Sequence, residues 1–210
     1  MSSYVILQCG NKKCNFRFPA EKENFNIYCP FCGERLEVLE YTLDTGYAQY
    51  KRNPHLHLEC ILDNVRSSYN VGAIFRSASA FSIDHLDLCG FTPTPDQAKV
   101  LKTSLGAEKQ VSWSYERNAL SLIQQKKTER SCSIYSIEAS LTATSLLNAM
   151  GKRSAQHILL VFGNEIFGVD PEIRRLSDAV LQIPITGDKK SLNVSTAFAI
   201  AVFYFSMFHQ

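Results

Sequence analysis

The sequence predicts an α/β protein with a mostly parallel sheet, preceded by a small zinc-ribbon domain. Two observations predict it. From His57 onward, short apolar runs alternate with segments of helical spacing, which implies parallel strands joined by helical crossovers. Before that, four of the seven cysteines crowd into the first 32 residues in two close pairs. A chain of 210 residues has room for one ordinary domain and a small appendage. The expected organisation is a ribbon over 1–40, a linker over 41–54 and the main domain over 55–210.

In the first segment, Cys9 and Cys14 are separated by four residues, Cys29 and Cys32 by two, and the pairs by fourteen. Tetrahedral zinc held by four thiolates needs two such knuckles, each turning two sulfurs toward one point. Gly10 and Gly33 follow cysteines, where knuckle turns benefit from positive φ, and Pro30 lies inside the second knuckle. The segment has too few apolar residues to fold by itself, so a metal supplies what its core lacks. Reduced structural thiols and a redox Cys-x-x-Cys are the alternatives, but a redox pair has no need of the upstream cysteines. With four protein ligands the zinc is structural, because no position remains for water or substrate. Cys60, Cys89 and Cys132 lie in apolar, strand-like runs and read as core residues.

After the polar, aromatic linker YTLDTGYAQYKRN, strands are expected at His57–Leu62, Ile83–Cys89, Cys132–Ile137, His157–Phe162 and Ala179–Ile185. Helices are expected at Val71–Phe81, Asp96–Leu101, Ala119–Lys127, Ala143–Met150, Pro171–Leu176 and Val194–Phe208. The last of these is apolar nearly all round and must be buried.

Apolar residues make up 45% of the chain and charged residues 20%, the balance of a soluble globular protein rather than a disordered one. The net charge, 22 − 20 = +2, does not by itself indicate a nucleic-acid partner. The longest dense apolar stretch, Ala197–Phe208, is too short to cross a bilayer, and the N-terminus lacks a secretory pattern. An odd number of cysteines argues against a disulfide framework. These features lead to the expectation of a cytoplasmic protein with no membrane partner.

Ligands of open parallel sheets bind beyond the carboxyl ends of the strands. Three loops stand out there: Leu62–Arg76, Phe162–Asp170 and Ile183–Ser195. Gly163 to Gly168 lacks the Lys and Ser/Thr of a phosphate-binding loop, since Val169 and Asp170 follow. No dinucleotide fingerprint or nucleophile elbow occurs, and the five histidines have no metal-ligand spacing.

The three loops, in order, resemble the three signature motifs of the SpoU (TrmH-like) branch of the SPOUT RNA methyltransferases. Asn70, Gly72 and Arg76 match N-x-G-x-x-x-R, Gly163, Asn164 and Glu165 match G-N-E, and Ile183, Pro184, Gly187 and Ser191–Ser195 match the third pattern. The segment Lys102–Trp113 also resembles the stretch between the first two motifs, so the likeness covers about residues 56–208. The resemblance implies a C-terminal trefoil knot and methylation of a ribose 2′-hydroxyl in tRNA or rRNA with S-adenosylmethionine. It implies a cofactor site at Val161, Phe162, Gly163, Asn164, Ile183, Ile185, Ser191 and Leu192, and a homodimer through the C-terminal helix and knot region.

The implied catalytic set is Arg76, Asn70, Glu165, Ser191 and Asn193. Arginine is a difficult base because its pKa exceeds 12, so positioning a phosphate and polarising the 2′-oxygen is the less demanding role. Glu165 is expected to hold Arg76 or Asn70. Ser191 and Asn193 either orient the ribose or cap the last helix. Phosphate contacts are expected from Lys12, Lys13, Arg17, Lys51, Arg52, Arg66, Lys189 and Lys190. The other readings are a non-catalytic RNA-binding module on a knotted scaffold and, less favoured, a base-nitrogen methyltransferase.

Overall fold

In the first strand, β1 (Tyr4–Cys9), every second side chain is buried, Val5, Leu7 and Cys9, as the two-residue period of a half-covered strand requires. It pairs antiparallel with β2 (Arg17–Glu21) and β3 (Leu36–Leu39) in the order β2-β1-β3. This computed structural model describes residues 4–39, 50–129, 131–148 and 156–208, divided into two units, 1–50 and 51–210. The buried core of the first unit is Val5, Leu7, Cys9, Cys29 and Leu36. Most of the expected linker, residues 40–49, lies outside the described residues.

The second unit holds a seven-stranded sheet in which every pairing is parallel. In chain order its elements are β4 (His57–Asp63), α1 (Ser68–Ala80), β5 (His85–Cys89), α2 (Ala98–Ser104), β6 (Trp113–Glu116) and α3 (Ala119–Glu129). There follow β7 (Ser133–Ile137), the two-residue β8 (Thr144–Ser145), β9 (His157–Phe162), α4 (Pro171–Leu176), β10 (Ala179–Gln182) and α5 (Val194–Phe208). The spatial order is β6-β5-β4-β9-β7-β10-β8. The order runs outward in one direction from β4 and in the other from β9, so their shared boundary is a switch point. The central strands are buried on both sides, which is why they read as unbroken apolar runs rather than alternating ones.

One face of the sheet packs Leu58, Cys60, Leu62 and Phe162 against α1 and α5. The other packs Ile61, Cys89, Leu159 and Val161 with Ile123 and Ile173 of α3 and α4. Gly72 lets α1 approach α2, because a Cβ there would overlap the Thr103 hydroxyl. The glycine of the first motif is therefore a helix-packing residue.

Four expectations need correction. The described part of 143–150 is β8 and a 3₁₀ turn at Leu146–Asn148, since Leu146 alone is anchored while Leu147 is exposed; residues 149 and 150 lie outside the described residues. The strand at 179 ends at Gln182, before Pro184, which cannot donate to a ladder. Cys132 lies just before β7 and is only half-buried. Finally, α5 is not buried all round: Phe198, Ala201, Val202 and Phe205 face the core, whereas Ile200, Phe203 and Phe208 are exposed.

Candidate active site

Loops leaving β4, β9 and β10 meet at the carboxyl edge of the sheet. The loop after β9 is closed by reciprocal backbone bonds between Asn164 and Gly168, 3.0 and 2.9 Å. Gly163 is buried beneath it, and a Cβ at that position would overlap the Gly168 carbonyl. Glycine is thus required for the loop to close on itself. Asn164 is used up in the same structure: its Nδ2 donates to the Asn64 carbonyl at 2.7 Å, and its Oδ1 accepts from the Ile166 and Phe167 amides.

Glu165, projected from this loop, acts on α1. Its carboxylate accepts from the backbone amides of Arg66 at 2.9 Å and Ser67 at 3.1 Å, and from Asn70 Nδ2 at 3.0 Å. The first turn of α1 has no acidic residue, so a glutamate nearly a hundred positions away supplies the negative charge that a helix N-terminus favours. Partial burial pushes the Glu165 carboxyl up, but the Arg66 amide, with Asn70 and Ser67, outweighs it and holds the group below the ordinary glutamate value.

The chain of bonds continues into the third loop. Asn193 Nδ2 donates to Asn70 Oδ1 at 3.0 Å, while Asn193 Oδ1 accepts from the Ser195 amide and hydroxyl at 2.8 and 2.7 Å. Asn193 therefore caps α5 and grips Asn70 at once. Glu165, Asn70 and Asn193 tie all three loops together.

Beside this clasp lies a cleft of about 490 Å³. Of the expected cofactor residues, Phe162, Gly163, Asn164, Ile183, Ile185, Ser191 and Leu192 line it. Val161 does not. Alternation along β9 turns it, fully buried, to the opposite face of the sheet. Glu165 and Asn193 also line the cleft, whereas Asn70 joins it through its hydrogen bonds.

Arg76 stands apart. It is exposed on α1, absent from the cleft lining, and has no hydrogen bond or ion pair among the described residues. Glu165 thus holds Asn70 and not Arg76. Among the basic residues, Arg52 is committed to Asp84 and the Ser82 carbonyl, and Arg17 to Gln8.

Sequence reasoning passed over Glu138, at the end of β7. It lines the cleft, accepts from the Val169 amide at 2.7 Å, and pairs with Arg174 at 3.3 Å, bracing the loop from behind. A glutamate directly after the apolar run SIYSI was the available signal.

In the first unit, the sulfurs of Cys9, Cys14, Cys29 and Cys32 lie within 4.8 Å of one another, with Cys9–Cys32 at 3.4 Å and Cys14–Cys29 at 3.7 Å. Zinc–sulfur bonds of about 2.3 Å in a tetrahedron put sulfurs about 3.8 Å apart, so the four thiols fit that group.

Residues 57–203 match the SpoU rRNA Methylase family. An uncharacterized tRNA/rRNA methyltransferase of Borreliella burgdorferi is 32% identical over 143 residues, 68% of this chain and 60% of that protein. The tRNA (guanosine(18)-2′-O)-methyltransferase of Thermus thermophilus is 31% identical over 159 residues, 73% of this chain and 75% of the relative. An AdoMet-bound rRNA methyltransferase from Sinorhizobium meliloti shares the fold with a TM-score of 0.63 at 24% identity, over 70% of this chain and 54% of that one. The chain thus spans less than two thirds of the length of some of these relatives.

Proposed function

Because this chain belongs to the SpoU rRNA methylase family, we propose that it methylates a ribose 2′-hydroxyl of tRNA or rRNA, with S-adenosylmethionine as donor. The observation that carries this reading is the Glu165–Asn70–Asn193 clasp, which draws three distant loops to one cleft. The cleft has the size of small-molecule sites and a mixed lining, with Phe162, Ile183, Ile185 and Leu192 suited to a purine and Ser191 to polar contacts. Held by these residues, S-adenosylmethionine would supply an electrophilic sulfonium methyl to the ribose 2′-oxygen, leaving S-adenosylhomocysteine and a proton released to solvent water.

Arg76 positions the substrate phosphate and polarises the 2′-oxygen. Its absence from the lining of its own chain's cleft accords with a homodimer in which each Arg76 serves the partner's cleft, and the exposed Ile200, Phe203 and Phe208 of α5 suit such a contact. The trefoil knot implied by the family resemblance belongs to the same reading. So does structural zinc on Cys9, Cys14, Cys29 and Cys32.

The test is calorimetric binding of S-adenosylmethionine, followed by transfer of labelled methyl to total RNA and nuclease digestion to identify the nucleotide. Arg76→Ala is expected to lose transfer while keeping its fold and donor affinity. Wild-type turnover by that variant overturns the arginine's role, and a native chain that modifies no RNA overturns the function.

A further inference from the structure

The loop 164–168 has a second side. Opposite the first cleft lies another of about 790 Å³, sharing Asn164, Phe167 and Gly168 as a common wall. Two phenylalanines on its lining, Phe91 and Phe167, are 85% and 86% exposed. Asp63 also lines it, although it is only 6% exposed. Asp63 Oδ1 accepts from Asn64 Nδ2 at 2.7 Å, and Oδ2 has no partner among the described residues. Burial and the charge of Asp170, also on the lining, push the Asp63 carboxyl up. Arg66 borders the cleft, exposed, with its side chain unbonded among the described residues.

The nearly buried Asp63 carboxylate gains from a ligand that donates hydrogen bonds, and its negative charge, with that of Asp170, turns phosphate away. The exposed rings favour a flat apolar face. A neutral base meets both demands while its phosphate stays outside with Arg66. Guanine fits best: its adjacent N1–H and amino group are donors side by side, whereas uracil sets its single donor between two carbonyl oxygens.

We propose that this second cleft is an RNA subsite that takes one unpaired guanine, stacked against Phe91 and Phe167 with its donor edge on Asp63. The inference rests on the RNA reading above and extends it to a nucleotide recognised across the loop from the methyl-transfer cleft.

The test uses the full chain and fluorescence anisotropy with hexauridylate, with the same hexamer carrying one central guanosine, and with an inosine replacement lacking the amino group. The guanosine hexamer is expected to bind about tenfold more tightly than hexauridylate, and Phe91→Ala and Phe167→Ala each to lose most of that gain. Asp63→Asn should abolish the preference for guanosine over inosine without weakening hexauridylate binding. Equal affinities for all three hexamers, or phenylalanine variants that bind as the native chain does, overturn the subsite. Methyl transfer to RNA by the native chain in that case leaves the parent function standing. If the phenylalanine variants alter only self-association in sedimentation, the surface is a protein contact and the proposal falls.

Discussion

Both units gather distant residues to a point, but on very different foundations. In the first, two cysteine pairs meet above a core of five buried residues, two of them cysteines themselves. In the second, three loops meet at the rim of a sheet buried on both faces, and the residues that tie them, Glu165, Asn70 and Asn193, contribute nothing to that core. The difference teaches what convergence is for. Where little apolar surface is buried, the meeting point must hold the fold; where a core already holds it, the meeting point is available for chemistry.

Removing the metal proposed for the first unit is the strongest way to break this comparison. Structural zinc in small domains contributes an apparent ~10–16 kcal/mol, more than a core of this size supplies. A chelator should therefore collapse the amide NMR peaks of residues 4–39 and leave those of residues 51–208 in place. Metal analysis should find one zinc per chain before treatment. Persistence of the β1 pairings with the metal gone would make the two units alike.

An intermediate effect is expected from the clasp. Asn70→Ala removes one side-chain bond to Glu165 and one from Asn193, at about 1 kcal/mol. Asn193→Ala also uncaps α5 and should cost about 1–2 kcal/mol. Because the two side chains are bonded to each other, urea unfolding of the single and double variants should yield a coupling of at least ~0.5 kcal/mol. All three variants should keep a cooperative unfolding transition, in contrast to the metal-depleted first unit. A coupling of zero would mean that the two loops are held independently.

The parts legible in the sequence are those whose signal is local. The strands β4, β5, β7 and β9 announce themselves as apolar runs because the sheet covers both their faces. The edge strand β6, WSYE, was not foreseen: it has one neighbour and two exposed residues at its end, so no apolar run marks it. At the site, the motif residues could be named from their order along the chain, but their partners could not. The bonds from Asn70 to Glu165 and Asn193 span 95 and 123 positions, beyond any local pattern. Val161 and Phe162 are equally apolar neighbours, and only the pleat of β9 decides which of them meets the cleft. Gly72 and Gly163, both read as motif glycines, turned out to serve packing and loop closure.

The smallest effect expected is electrostatic, and it separates the clasp from the core beneath it. Hydrogen bonds hold the Glu165 carboxyl below the ordinary glutamate value, so its folded pKa lies under its unfolded one. Its contribution is then fully present above the unfolded value, about 4.3, and is lost as pH falls through the folded value. The side chain is exposed, so screening keeps the contribution small, and protonation should loosen the first turn of α1 without unfolding the sheet. The amide proton shifts of Arg66 and Ser67 should follow this titration, with a midpoint below that of an ordinary glutamate. In Glu165→Gln the dependence should vanish, because an amide has no charge to lose. The same titration surviving in that variant would assign it to another carboxylate and detach Glu165 from the start of α1.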